Sequence, residues 1–118
     1  MNFKDLSLEE IIVKIKSAET TAVEVKQYFL GRIKKYDENL NTFNFLNENV
    51  EINSADWELE WVVLGVKDIF CETGIPTTSA SNMLRNFVPP YDATVIKKLK
   101  AAGMTSLGKL NMDDSAMG

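Results

Sequence analysis

Histidine is absent from the 118 residues, cysteine occurs once, at Cys71, and there are three prolines. Without histidine, the chain's own residues cannot form a Ser-His-Asp triad, a Cys-His dyad or an HExxH zinc site. A single cysteine excludes an internal disulfide, and the default setting is a reducing cytoplasm. Metal ligation would fall to carboxylates, and any nucleophilic chemistry would need lysine or a carboxylate as its base. No apolar run approaches the roughly 20 residues of a membrane span. The opening MNFKDLSLEE is acidic where a secretory leader is basic and then apolar. A basic surplus is also missing: the net charge of −4 argues against a nucleic-acid surface built by this chain alone.

What is present reads as one soluble α/β unit. A hydrophobic content of 45% with 25% charged residues is ordinary for a globular chain, and this length allows roughly two-thirds of the unfolded surface to be buried. Ser7-Leu8-Glu9-Glu10 has the form of a capping box, and Leu8, Ile11, Ile12 and Ile15 follow at helical spacing, predicting a helix over about 8–17. Thr20 or Thr21, with Glu24, opens a second helix. Its apolar stripe is Val25, Tyr28, Phe29, Ile33 and Tyr36, its late lysines suit the helix dipole, and polar Asp37–Asn41 ends it. Thr42–Leu46 alternates as a strand, and the acidic, polar stretch 47–60 reads as a loop.

The organising stretch is 59–118. Val62–Val66 is a short apolar strand, and Lys67-Asp68 follow at once. Thr73–Pro76 is a turn, and Pro89-Pro90 precludes a helix before them. Asp92 is placed to cap a helix over about 93–102 that stops at Gly103, and Met104–Leu107 forms a second strand. Strand, crossover helix and strand predict a parallel pair. The boundaries expected are an N-terminal helical arm with its first strand over 1–50, and a larger mixed sheet beginning over 51–118.

Gly103–Leu110 comes within one residue of a phosphate-binding P-loop, but Leu110 stands where Ser or Thr must hold magnesium, and the order helix–glycine–strand is reversed. Asp113-Asp114 reads as a solvated or capping pair, and Cys71 as a packed thiol in a chain with no histidine to activate it. Thr77, Thr78, Ser79 and Ser81 read as turn and hydrogen-bonding residues. A lysine at the end of a buried strand needs a partner or a function. From the residues alone, Lys67 is equally a structural partner of Asp68 or a base whose desolvation helps it lose a proton.

Several segments, taken in order, resemble the front of the amidase signature family. They are Gly65-Val66-Lys67-Asp68, Thr73–Thr78 with Ala80-Ser81, Phe87–Val95, Lys100–Gly103, Gly108-Lys109, Asn111-Met112-Asp113 and Ala116-Met117-Gly118. The runs NFVPPYDATV and NMDxxAMG are most similar to the branch of A subunits of glutamyl-tRNA(Gln)/aspartyl-tRNA(Asn) amidotransferases, and the two helices of 8–37 fit that branch's N-terminal arm. The resemblance implies a triad of a lysine, a serine on a cis peptide bond and a nucleophilic serine, with Lys67 matching the lysine. It implies glutamine as the amide substrate, and the B and C subunits of the amidotransferase as partners. Ammonia would pass to the B subunit, where aminoacyl-tRNA is amidated. ATP and magnesium belong to that partner, so no ligand residues for them are placed in this chain.

The departures from the pattern carry equal weight. The family's glycine/serine-rich block, which holds both serines, lies downstream of the AMG motif, so these 118 residues are expected to be inactive alone, and either marginally stable or associated through bare strand edges. A general amidase of the same family, and a non-catalytic piece that docks on partner chains, are the alternative readings. Ser115 stands where a bulky apolar residue is usual, Val63-Leu64 replace a pairing with proline, and Trp61 stands where the family has glycine. Tryptophan and glycine codons can differ by one base. Glycine suits both Trp57 and Trp61 as turn and strand-entry residues, so both are expected to be glycines in the native host, read there through a different genetic code.

Overall fold

A computed structural model describes residues 2–49, 52 and 59–113. Both capping boxes form. Ser7 Oγ accepts the Glu10 N–H and Glu10 returns to the Ser7 N–H, opening α1 (Leu8–Lys16); Thr21 and Glu24 do the same for α2 (Ala22–Leu40). Each box satisfies N–H groups that have no partner inside the helix. α2 continues through Asp37–Leu40 and ends at Asn41, whose φ of 52° is the left-handed stop. The expected end at Asp37 is therefore a turn too early, and no basic residue lies in the last turn to meet the dipole. The Asp37 carboxylate instead accepts the N–H groups of Thr42 and Phe43, turning the chain into β1 (Phe43–Leu46).

β2 runs Val63–Lys67, α3 runs Thr94–Ala101 and β3 runs Thr105–Leu110. The sheet order is β1-β3-β2, with β3 parallel to β2 and antiparallel to β1, which makes it a mixed sheet with β3 at its centre. β3 extends past the expected Leu107 because Gly108–Leu110 pair with β1 on one side and β2 on the other. Gly108 is required there: a Cβ at this position would lie 2.3 Å from the Phe45 carbonyl oxygen. Gly103, at φ 88°, separates α3 from β3, so the near-P-loop run is helix end and strand.

Two apolar clusters support the sheet. Phe3, Ile11, Val25 and Val62 join the helical arm to the entrance of β2, and Val66, Ile96 and Met104 hold α3 on the sheet. Val25 and Ile96 are almost fully buried, and each such side chain contributes about 1.5–3 kcal/mol by leaving water.

Val62 lies outside β2 because it closes a turn. Its N–H donates to the Leu59 carbonyl at 3.0 Å, and the two central residues, Glu60 and Trp61, both have positive φ, 48° and 60°. Paired positive φ marks a type I′ turn, whose second central position favours glycine. Trp61 thus occupies backbone that glycine adopts without steric cost. Trp57 lies outside the described residues.

Asp92 does not cap α3. The N-cap position falls one residue later, on Ala93, which has no side-chain acceptor. Asp92 accepts the Thr73 N–H at 2.8 Å and the Lys100 ammonium at 3.0 Å, tying the 73–76 turn to α3. Partial burial pushes its carboxyl upward, but those two donors outweigh burial and hold it below the usual range. Among the described residues, no helix is long and apolar enough to cross a membrane.

Candidate functional site

The parallel strands β2 and β3 end side by side, and sites in α/β sheets gather outside the carboxyl ends of such strands. Lys67 is the last residue of β2, and its carbonyl accepts the Phe70 N–H at 3.1 Å, closing a tight turn over 67–70. Register sets the faces. Val66 lies opposite Lys109, so these two share the covered side of the sheet, and Lys67 points the other way. Accordingly Val66 and Lys109 are buried while Lys67 is exposed. The expectation of a buried lysine at this strand end is therefore met by Lys109 and not by Lys67.

The Lys67–Asp68 pair does not form. Asp68 is fully buried, and its carboxylate accepts from Asn44 Nδ2 at 2.9 Å, Thr78 N–H at 3.0 Å, Thr78 Oγ1 and, more weakly, the Ala80 N–H at 3.5 Å. Its main chain is held as well: the Asp68 N–H donates to the Leu110 carbonyl, and its own carbonyl accepts the Ser79 N–H. Every oxygen of this residue is thus committed to the loop or to the neighbouring strands. Among the described residues, no ion pair engages Lys67.

Around this point the hydroxyl residues take the structural places expected of them. Ser81 Oγ accepts the Met83 N–H at the start of a short 3-10 turn, and Thr77 Oγ1 donates to the Ile75 carbonyl. Cys71 contacts the Tyr91 hydroxyl at 3.6 Å. Asp113 is exposed, and Asp114, Ser115 and the Ala116-Met117-Gly118 motif lie outside the described residues. A cavity of about 390 Å³ opens beside the strand ends, lined by polar groups that include Asn44, Asp68, Thr78, Asn82, Arg85 and Asn111.

Lys109, Glu72 and Ser106 form a buried polar layer that the sequence reading did not anticipate. The Lys109 ammonium is wholly enclosed and donates to the Phe70 carbonyl and to Thr77 Oγ1 at 3.2 Å. Burial lowers its pKa, opposed by the nearby carboxylates of Glu72 and Asp68. Glu72 accepts the Ser106 hydroxyl at 2.9 Å and lies 4.0 Å from the Lys100 ammonium. The available signal was the central place of β3: a strand paired on both sides and covered by a helix buries even its charged residues.

The model of the amidase family matches residues 24–118. The A subunit of the glutamyl-tRNA(Gln) amidotransferase of Bdellovibrio bacteriovorus is 40% identical over 129 aligned residues, covering all of this chain and 26% of that protein. Its counterpart of the same name from Saccharophagus degradans is 42% identical over 125 residues, covering 97% of this chain and 26% of that protein. The crystal structure of the glutamyl-tRNA(Gln) amidotransferase A subunit from Thermotoga maritima superposes with a TM-score of 0.86 at 34% identity, over 100% of this chain and 25% of that one. The chain therefore spans about a quarter of the length of the relatives it matches. The family model covers most of the chain, and the chain belongs to the amidase family.

Proposed function

We propose that this chain forms the first part of the A subunit of a tRNA-dependent amidotransferase, and that Lys67 is the base of its glutamine-hydrolysing site. The observation that supports the role is the separation of Lys67 from Asp68. The carboxylate next to it in sequence is spent on Asn44, Thr78 and Ala80, which leaves the ammonium at the strand end without an ion-pair partner among the described residues. A permanent ion pair would hold the lysine protonated and defeat a base. Further chain covering the exposed face of β2 supplies the desolvation that a neutral amine requires.

In this reading neutral Lys67 takes a proton through a neighbouring serine. A second serine attacks the side-chain amide of glutamine, ammonia leaves, and water hydrolyses the acyl-enzyme. The ammonia is passed to the B subunit for amidation of Glu-tRNA or Asp-tRNA, with the C subunit completing a cytoplasmic complex. Among the described residues, no cluster of three or more Cys, Asp or Glu side chains is placed to hold a metal ion. ATP and magnesium are assigned to the B subunit in this reading, and no step here runs through them. The 118-residue polypeptide by itself supplies one of the three triad groups and is proposed to be without glutaminase activity.

The test is Lys67→Arg in the assembled amidotransferase, with glutamate release as the assay. Arginine keeps the charge but supplies no neutral amine. Loss of glutamine turnover on the order of 10⁴-fold, with assembly intact by size exclusion, is expected by comparison with other triads. Retained turnover reduces Lys67 to a structural cation.

A further inference from the structure

We propose that Lys109 is a positioning residue for the catalytic strand end, clamping the 67–70 turn to the 75–78 segment from beneath the sheet. The inference rests on the reading of Lys67 as the base.

Lys109 lies on β3 opposite Val66, one residue short of the register partner of Lys67. Because it is on the other face, it cannot touch Lys67 directly and must act through backbone. The connection is short. Lys67 and Phe70 are the first and last residues of one tight turn, joined by the Phe70 N–H to Lys67 carbonyl bond. Lys109 holds the carbonyl of that same Phe70. Its second bond goes to Thr77, whose N–H donates to the Phe87 carbonyl and whose hydroxyl donates to the Ile75 carbonyl. One enclosed ammonium thus fixes the exit of the turn against a segment that is itself pinned twice.

Asp68 holds the other half of the turn through Thr78, Ala80 and Asn44. The turn after Lys67 is therefore gripped at its second residue by hydrogen bonds to a carboxylate and at its fourth by an ammonium. Buried polar groups that are fully bonded rigidify their surroundings. Among the described residues, no enclosed side-chain nitrogen or oxygen lacks a partner. The two bonds made by Lys109 need two N–H groups, which neutral and charged amine both possess. The clamp therefore holds across the pH range in which a lysine base works.

Lys109→Met keeps the apolar stem and removes the donors, and Ser106→Ala is the control, a buried β3 hydroxyl bonded to Glu72 and not to the turn. In the assembled amidotransferase, amide exchange at Phe70 is expected to quicken at least tenfold in Lys109→Met, with Val25 in α2 unchanged. In the assembled enzyme, kcat for glutamine hydrolysis is expected to fall at least tenfold, with KM within twofold of wild type. Ser106→Ala is expected to leave both readouts near wild type. Unchanged Phe70 exchange overturns the clamp, and lost protection with an unchanged kcat overturns its catalytic relevance. A fall in kcat equal to that of Ser106→Ala also overturns it, as a general packing effect. Should Lys109→Met fail to fold, Thr77→Val cuts the same bridge from its other end, and wild-type exchange and kcat in that variant overturn the proposal. The exchange arm is independent of the base assignment, so retained activity in Lys67→Arg removes that assignment while Phe70 still reports on the clamp.

Discussion

The turn at Leu59–Val62 gives a test of backbone strain that can be separated from side-chain packing. Trp61 is half-buried at φ 60°, in the second central position of a turn whose first, Glu60, is also left-handed. Replacing Trp61 by glycine alone mixes two effects, the lost ring contacts and the relieved backbone. Comparing Trp61→Ala with Trp61→Gly isolates the second, because both lack the ring and differ only by Cβ. At ordinary negative φ, glycine is the less stable of the two by about 0.5–1 kcal/mol, because its unfolded chain has more freedom to lose. In the left-handed region an L-residue costs roughly 1–2 kcal/mol. The difference favours glycine by about 0.5–1 kcal/mol, reversing the usual sign, or roughly 2–8 °C in melting midpoint for a domain of this size. Urea and thermal unfolding of the two variants measure it directly. An alanine variant as stable as the glycine variant, or more so, refutes the strain argument. The same argument supports glycine at 61 in the native source, where peptide mass spectrometry is expected to find it; tryptophan there ends the idea.

Two further outcomes follow from the centre of the sheet. Gly108→Ala is expected to destabilise the chain by about 1–3 kcal/mol, because the new Cβ meets the Phe45 carbonyl at 2.3 Å and must push β1 away. Faster exchange at the Asn47 N–H, which donates to Leu107, locates the damage, and an unchanged urea midpoint contradicts the close approach. Lys109 gives a pH signature: burial holds its folded pKa below the ordinary 10.5, so between the folded value and 10.5 the unfolded chain binds more protons. Stability then rises with pH through that window. The stability of wild type relative to Lys109→Met is expected to increase from pH 7 to pH 10, and a constant or shrinking gap means that burial does not govern the group.

What was legible in the sequence depended on range. The two capping boxes are local, each decided by residues three apart, and both form at the positions the sequence shows. The parallel β2–β3 pair was legible as well, because a strand, a helix and a strand leave few ways to connect. Strand ends were not. β3 reaches Leu110 because β1, more than sixty residues earlier, offers it a partner, and no local rule contains that information. Asp92 failed as a cap by a single residue: the helix starts one position late, and the carboxylate goes to Thr73 and Lys100 instead. The enclosure of Lys109 rests on Phe70 and Thr77, which are 39 and 32 residues away, so its sequence neighbours Gly108 and Leu110 could not disclose it.

On the proposal that Lys67 is the base, the two lysines at neighbouring strand ends divide a physical conflict between them. A base must meet its substrate and change protonation, which requires an accessible and movable head group. Holding a strand end to the precision that proton transfer needs calls for the opposite, an enclosed side chain fixed by hydrogen bonds. One residue cannot satisfy both demands. β2 and β3 lie in parallel register with Val66 opposite Lys109, so alternation alone places Lys67 on the open face and Lys109 on the covered one. The turn at 67–70 then joins them through backbone, without bringing two cations together. The carboxylate next to Lys67 in sequence, Asp68, is drawn into the loop by Asn44 and Thr78. The division follows from sheet register, and so it holds only while β3 stays central. A change that shifts β3 by one residue turns Lys109 to the open face and undoes the division without altering either lysine.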